Sequence, residues 1–362
     1  MPSAHHALRI PSRKALPVPD FFDPDAAASW SHRADHLALA DHAREWVRRH
    51  QIRPAAGDAR EIHLLLIDVQ KDFCLPEGNL YVAGRSGAGA IDDSRRIARF
   101  IYRNLDVLTR VTATLDSHFS HQIFFPSFWF DENDQPLTPH QVVTTDAIAS
   151  GKLRPNPAVA GWLCKGNYGW LRRQVEHYCR ELERVGKYEL YLWPPHCLLG
   201  SDGHALVGVI DEARSFFALT RAMQSWIEVK GGNPLTENYS VLRPEVLTRH
   251  DGAPLAQRNT SFIETLLRAD AVIIAGQAAS HCVKSTIDDL LDEIVATDPA
   301  LARKVYILTD CMSAVTIPDA NGGLAADFTD QADQAQQRFA DAGMHLVKST
   351  DPIEAWPDLS IG

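Results

Sequence analysis

The chain has 362 residues, of which 45% are hydrophobic and 23% are charged, and both values are ordinary for a folded protein. Lys and Arg together number 36 against 46 Asp and Glu, so the formal net charge is −10. An acidic chain is a poor candidate for nucleic-acid binding, which draws its affinity from neutralised phosphates, and no apolar run reaches the roughly 18 residues of a membrane span. We therefore expect neither a nucleic-acid nor a membrane partner.

Residues 1–60 are predicted to form an N-terminal extension. An arm punctuated by prolines runs as far as Asp25, and apolar residues at helical spacing predict a helix from Ala26 to His50. Nothing in the extension suggests catalysis, so we interpret it as a segment for packing or subunit contact. Residues 351–362 are interpreted as a C-terminal tail.

From residue 61, short apolar runs alternate with segments of helical periodicity. The runs cover residues 62–68, 107–116, 225–231, 271–276, 304–310 and 344–349, and helices are predicted over 90–105, 206–223, 261–269, 283–296 and 330–342. Strands without polar alternation, interleaved with helices, indicate a parallel sheet covered on both faces. Residues 61–350 are therefore predicted to form a doubly wound, Rossmann-like α/β domain, whose ligand site lies beyond the C-terminal ends of the strands.

The connection between the second and third strands is unusually long. It begins with the aromatic run FFPSFWF and contains a further predicted helix over 170–185. Connections of this length are usually functional or form a sub-domain. We interpret residues 124–192 as an insertion that forms a lid or wall over the strand ends.

Three residues at strand ends are candidates for nucleophilic catalysis. Cys282 lies where a helix follows the strand 271–276, and a helix N-terminus lowers a thiol pKa and offers backbone N–H groups to an oxyanion. A buried structural cysteine is the alternative. Asp68 is either a base or a helix N-cap, with Asp72 as a structural carboxylate. Lys230 is either solvated or, facing a cysteine, a support for its thiolate.

A second cluster has the composition of a metal site. Asp116, His118 and His121 lie in DSHFSH, and His196 lies in WPPHC. An Asp-x-His unit with a distant third ligand fits a divalent ion with open positions, and His121 could add a fourth or outer group. Such clusters also occur in ordinary loops. Nearby aromatic residues, which would pack in the core or sandwich a flat substrate, are Phe73, Trp193 and Tyr239.

The motifs DVQKDF, DSH, WPPHC, VKGGNP with ENYS, and GQAASHCVKST occur in an order that resembles the cysteine hydrolase superfamily of nicotinamidases and isochorismatases. The resemblance covers about residues 61–350. It implies a catalytic triad of Asp68, Lys230 and Cys282. It also implies a cis peptide at Gln277–Ala278 that directs the N–H groups of Ala278 and Cys282 at the substrate carbonyl.

The same resemblance implies a metal site. In the nicotinamidase branch a divalent metal would be bound by Asp116, His118 and His196, with zinc as the first expectation and manganese or iron as alternatives. The sequence departs from the family pattern at Gln277, which replaces a small apolar residue. It departs again at His281, which occupies a position where an aromatic residue such as Tyr is usual. We expect His281 to contact the substrate.

These observations predict a cysteine-dependent amide hydrolase that releases ammonia from a small carboxamide, with nicotinamide as the first candidate. Two alternatives stay open: a related enzyme for another small amide or ureido compound, and a catalytically silent ligand-binding or scaffold protein on the same fold. The six cysteines are scattered without a CxxC pair, which favours reduced thiols and a cytoplasmic location. We also expect a homo-oligomer.

Overall fold

The computed structural model describes residues 14–184, 188–319, 323–359 and 361. The first thirteen residues of the predicted arm and two residues of the predicted tail lie outside this range. Its helices are α1 His36–His50, α2 Lys71–Cys74, α3 Gly89–Arg103, α4 Thr145–Ala149, α5 Val159–Leu163, α6 Tyr168–Arg184, α7 Gly208–Thr220, α8 Thr260–Arg268, α9 Cys282–Thr297 and α10 Thr329–Asp341. Its strands are β1 Ile62–Ile67, β2 Arg110–Asp116, β3 Trp129–Asp131, β4 Val142–Val143, β5 Leu153–Pro155, β6 Leu190–Tyr191, β7 Trp226–Lys230, β8 Ala271–Gly276, β9 Val305–Leu308, β10 Thr316–Pro318, β11 Leu324–Asp327 and β12 His345–Val347.

The centre of the molecule is a six-stranded parallel sheet. Its strand order is β12–β9–β8–β1–β2–β7, and every neighbouring pair is parallel. These six strands are the six apolar runs predicted from the sequence. The strand β7 lies at one edge, where Trp226 and Val229 are 49% and 62% exposed.

Both faces of the sheet are covered by helices. Along β1, Leu64 and Leu66 belong to one hydrophobic cluster, which includes residues of α3 and α7. Leu65 and Ile67 belong to a second cluster, with residues of α8, α9 and α10. Successive side chains of a strand point to opposite faces, so the continuous apolar runs reflect burial on both sides. The predicted doubly wound α/β fold is confirmed.

The N-terminal extension packs on its own chain. Trp46 of α1 contacts Phe216 of α7 at a ring-centroid distance of 6.0 Å. The predicted helical start at Ala26 is wrong: Pro24–Ala28 is a single 3₁₀ turn, and α1 begins only at His36. The start is set by Asp35, whose carboxylate accepts the backbone N–H groups of the first turn.

The insertion is closed at its base. The backbone N–H of Trp193 donates to the carbonyl oxygen of Phe124 over 2.9 Å, so the two ends of the segment 124–192 meet. Between them lie α4, α5, α6 and the antiparallel pairs β3–β5 and β4–β6. Phe128 and Trp129 are fully buried, which accounts for the aromatic run. None of the helices in the described ranges combines the length and apolar character needed to cross a bilayer.

Candidate active site

The three predicted catalytic side chains converge at the C-terminal edge of the sheet. Asp68 follows β1, Lys230 ends β7, and Cys282 begins α9. The Lys230 Nζ lies 2.9 Å from Asp68 Oδ2 and 3.7 Å from the Cys282 Sγ. All three side chains are buried. Parallel strands end on the same edge of a sheet, and this is what brings together residues that are far apart in sequence.

Asp68 is oriented by Thr114 on the neighbouring strand. The Thr114 hydroxyl accepts the backbone N–H of Asp68 over 3.0 Å and donates to its Oδ1. Asp68 does not cap a helix, because α2 begins at Lys71 with Gln70 as its N-cap residue. Asp72 has the predicted structural role: its carboxylate accepts the backbone N–H of Cys197 over 2.6 Å and so anchors the segment that follows His196.

The charges around Lys230 fix its protonation state. Burial alone would lower the pKa of Lys230, but Asp116 and Asp68 outweigh it and hold that pKa well above its ordinary value. Burial raises the pKa of Asp68, although the Lys230 cation acts against it. The site therefore holds a permanent cation beside a carboxylate of increased basicity, which suits a general base.

Cys282 departs from one expectation. Its position at a helix N-terminus predicts a lowered thiol pKa. Burial instead raises the pKa of Cys282 well above its ordinary value, against the opposing effect of Lys230. A thiolate enclosed in an apolar pocket loses its hydration, and one cation does not compensate for that loss. In the resting site the thiol therefore carries its proton, and a base must remove it before attack.

Ala278 and Cys282, the two residues expected to supply oxyanion donors, both line the pocket. The Gln277–Ala278 peptide is cis, as the resemblance implies. Among the residues that the structure describes, no acceptor is found for the Ala278 N–H. The N–H of Cys282 belongs to the first turn of α9, whose donors have no partner within the helix. The side chain of Gln277 is held elsewhere, because its amide donates to Asp93 over 2.9 Å.

The predicted metal ligands also meet in one place. Ligand atoms of Asp116, His118 and His196 all lie within 4.8 Å of one another, and the three side chains are buried. Asp116 Oδ2 lies 2.9 Å from the Nε2 of His118 and 3.8 Å from that of His196. Its other oxygen, Oδ1, lies 3.0 Å from the Lys230 Nζ. One carboxylate thus joins the candidate metal site to the catalytic groups.

The orientation of the two imidazole rings in this cluster suits a divalent cation. The Nδ1 atoms of His118 and His196 lie 3.2 and 2.8 Å from the backbone oxygens of Gly231 and Pro194, which fixes each ring with its Nε2 toward Asp116. Burial lowers the pKa of His118 despite the adjacent carboxylate. Its buried Nε2 lies 2.9 Å from Asp116 Oδ2 but makes no hydrogen bond of good geometry within the described part of the chain. Two imidazoles and one carboxylate form a suitable donor set for zinc, manganese or iron.

His121 is not part of this cluster. Its ring lies beside Trp162, at a centroid distance of 6.4 Å, and it does not belong to the group of ligand atoms formed by the other three residues. The structure therefore does not place His121 among the three clustered ligands, and an outer role for it stays a prediction. The loop leaves the strand end after His118 and carries His121 toward α5 of the insertion.

A pocket opens above these groups and encloses about 520 Å³ of empty space, part of it open to solvent. All four predicted substrate contacts contribute to its lining, together with Cys282 and the metal cluster; they are Phe73, Trp193, Tyr239 and His281. Burial lowers the pKa of His281 to about 4, so this ring is neutral. Phe124 and Trp193 bring the two ends of the insertion into the pocket wall.

Two further residues that shape the site were not found from the sequence. The side-chain amide of Gln70 pairs with the backbone of Asp116, accepting its N–H and donating to its carbonyl oxygen over 2.8 Å each. Glu237, in the loop after β7, is buried and lines the pocket. Their only sequence signal is their place in the motifs DVQKDF and ENYS, in which neighbouring residues are the predicted site residues.

Comparison with solved structures finds similarity to nicotinamidases and pyrazinamidases. The yeast nicotinamidase Pnc1p bound to the inhibitor nicotinaldehyde is 20% identical, with a TM-score of 0.49, over 79% of this chain and 99% of that chain. A nicotinamidase/pyrazinamidase of Acinetobacter baumannii is 19% identical, with a TM-score of 0.46, over 81% and 98%. A pyrazinamidase of Pyrococcus horikoshii in complex with zinc is 17% identical, with a TM-score of 0.42, over 80% and 99%.

These likenesses concern the fold and settle neither reaction nor substrate. No protein-family model matches the sequence, and no curated protein does either.

Proposed function

We propose that this protein is a cysteine-dependent amide hydrolase that releases ammonia from a small carboxamide, with nicotinamide as the first candidate substrate. The observation that carries the proposal is the contact of Lys230 with both Asp68 and Cys282 beneath a small pocket. A nucleophile, a carboxylate base and a fixed cation within hydrogen-bonding reach are what acyl transfer to a thiol requires. A silent scaffold would have no need to bury such a costly set of charges.

The mechanism follows from the protonation states. Asp68 takes the proton of the Cys282 thiol as the sulfur attacks the amide carbon, and Lys230 stabilises the negative charge on the sulfur. The carbonyl oxygen becomes an oxyanion, which the N–H groups of Ala278 and Cys282 can bind. Asp68 then gives the proton to the leaving nitrogen, and ammonia departs. Water hydrolyses the thioester, which releases the carboxylic acid and restores the thiol.

Asp116, His118 and His196 would hold a divalent metal beside this centre. Such an ion would act as a Lewis acid toward a donor atom of the substrate and would help to orient it. The convergence of these three buried side chains and the contact of Asp116 with Lys230 support this assignment. The aromatic side chains of the pocket would sandwich a flat acyl group, as expected for a heteroaromatic amide.

The test is ammonia release from a panel of nicotinamide, other small carboxamides and ureido compounds. It is run on the metal-loaded protein, after chelation, and after metal is restored. Cys282→Ala should abolish turnover, whereas Cys164→Ala, a control at a cysteine that lies outside the pocket lining, should retain it. Turnover of a ureido compound in place of nicotinamide would favour the related enzyme. Wild-type turnover by Cys282→Ala would refute the mechanism.

A further inference from the structure

The mechanism leaves unexplained a buried carboxyl group at the side of the pocket. Glu237 is 2% exposed and lies in the loop between β7 and α8. Each of its carboxyl oxygens accepts a tyrosine hydroxyl: Tyr239 donates to Oε1 over 2.9 Å, and Tyr178 donates to Oε2 over 2.8 Å. The backbone N–H of Glu237 donates in turn to the Tyr178 hydroxyl over 2.9 Å. Burying a carboxyl group is costly unless it is satisfied in this way.

One of these bonds continues into the pocket. The Tyr239 hydroxyl, which donates to Glu237, also accepts the indole N–H of Trp193 over 2.7 Å. The rings of Tyr239 and Trp193 both line the pocket beside Cys282; we call this pair the aromatic wall. Both rings contact His281, at centroid distances of 5.7 and 5.3 Å. The position of the wall is therefore tied to a single carboxyl group behind it.

The other bond reaches the insertion. Tyr178 lies on α6, a helix of the segment 124–192, and is fully buried. Glu237 thus connects three parts of the chain: α6, the loop that follows Lys230, and the segment that ends at Trp193. Unlike packing contacts, the hydrogen bonds that a buried carboxyl group accepts have preferred directions. They therefore determine the positions of the two rings of the wall.

We propose that Glu237 is a specificity-determining positioning residue, which holds the aromatic wall in place and so decides which acyl group fits beside Cys282. The inference rests on the proposed amide hydrolysis for its substrate, but not for its geometry. In the intact protein, the aromatic wall would give the enzyme its preference for a flat, single-ring acyl group. Displacement of the wall should admit bulkier groups and weaken the hold on small ones.

The first test compares Glu237→Gln and Tyr239→Phe with Tyr168→Phe, in which α6 loses a tyrosine hydroxyl that bonds to Pro155 instead. Both oxygens of the Glu237 carboxyl group accept a tyrosine hydroxyl, whereas a glutamine has one oxygen and an NH₂ group that can only donate. We expect Glu237→Gln and Tyr239→Phe to raise KM for a single-ring carboxamide about tenfold, the equivalent of about one hydrogen bond, and to change kcat little. The double variant should be little worse than either single variant, and Tyr168→Phe should resemble the wild type.

The second test does not depend on turnover. The rates at which iodoacetamide and the bulkier N-ethylmaleimide modify Cys282 are measured by intact mass. The ratio of maleimide to iodoacetamide rates should rise in Glu237→Gln and Tyr239→Phe, but not in Tyr168→Phe. An unchanged ratio in folded Tyr239→Phe would overturn the inference, and so would an equal fall of kcat across all amides in Glu237→Gln. If no amide is turned over but the ratio rises, the proposed function fails and the role of the wall stands.

Discussion

Removal of the Lys230 cation is the sharpest perturbation of the proposed mechanism. We predict that Lys230→Met raises the pKa of the Cys282 thiol further and slows its alkylation strongly. The methionine side chain has a similar length and fits a buried site, so the change removes the charge with little loss of packing. The alkylation rate reports thiolate directly, because the thiolate is the reactive form.

The magnitude follows from the distance of 3.7 Å between Nζ and Sγ. At an effective dielectric constant of about 20, unit charges at this separation attract by about 4 kcal/mol, which corresponds to about three pKa units. The variant also leaves Asp68 and Asp116 without their shared cation, so one of these carboxyls should take up a proton and relieve part of the repulsion. We therefore expect the rate to fall by about 10²–10³-fold.

The assay follows iodoacetamide labelling by intact mass between pH 7 and pH 10. Lys284→Met is the matched control, because Lys284 lies two residues beyond the nucleophile but is paired with Asp288 at 2.9 Å and faces partly to solvent. It should label within about twofold of the wild type, as a surface ion pair contributes little. A Lys230→Met protein that is folded and labels as fast as the control would refute the electrostatic role of Lys230.

Three further predictions concern the same site. Asp68→Asn should lower kcat by about 10²–10⁴-fold, the range for a lost general base. Combining it with Lys230→Met should lower kcat little further, because the effects of coupled groups are not additive. Losses that multiply in steady-state kinetics would count against a coupled unit. His118→Ala or His196→Ala should lower the metal content found by elemental analysis while thiol labelling survives, and full occupancy in both would remove them from the ligand set. Burial raises the pKa of Glu237 from 4.5 to about 8, so between these values the folded wild type keeps a proton that the unfolded chain releases. The free energy of unfolding of the wild type should therefore fall relative to that of Glu237→Gln as the pH rises from 5 to 8, by a few kcal/mol at most. Urea unfolding at the two pH values measures this difference, and a difference that does not change with pH would contradict the raised pKa.

The strand-end rule explains why much of the site was predictable. Each of the strands β1, β2 and β7 leaves a charged residue at one edge, and the topology alone brings Asp68, Asp116 and Lys230 together. The motif around Cys282 adds a helix start at the same edge. These are local signals, an apolar run and the residue that ends it, so one sequence is enough to reveal them.

Other properties depend on contacts that no local pattern encodes. The raised pKa of Cys282 follows from how completely the pocket encloses it, which the sequence alone does not reveal. Glu237 acquires its partners only when α6 of the insertion packs behind the loop after β7. The position of His121 was not predictable either, because its spacing in DSHFSH is that of a ligand, whereas its ring lies beside Trp162 of the insertion.

The edge position of β7 has a consequence for thermal behaviour. Within the described chain this strand is hydrogen-bonded to one neighbour, β2, while β1 and β8 lie inside the sheet. Edge elements open at lower free energy than central ones, and the only cation of the proposed triad is carried by that edge. On warming, Lys230 should therefore separate from Asp68 and Cys282 while the sheet is still intact. Catalysis would then fail several degrees before the fold does, and the working temperature of the protein would be set by one five-residue strand.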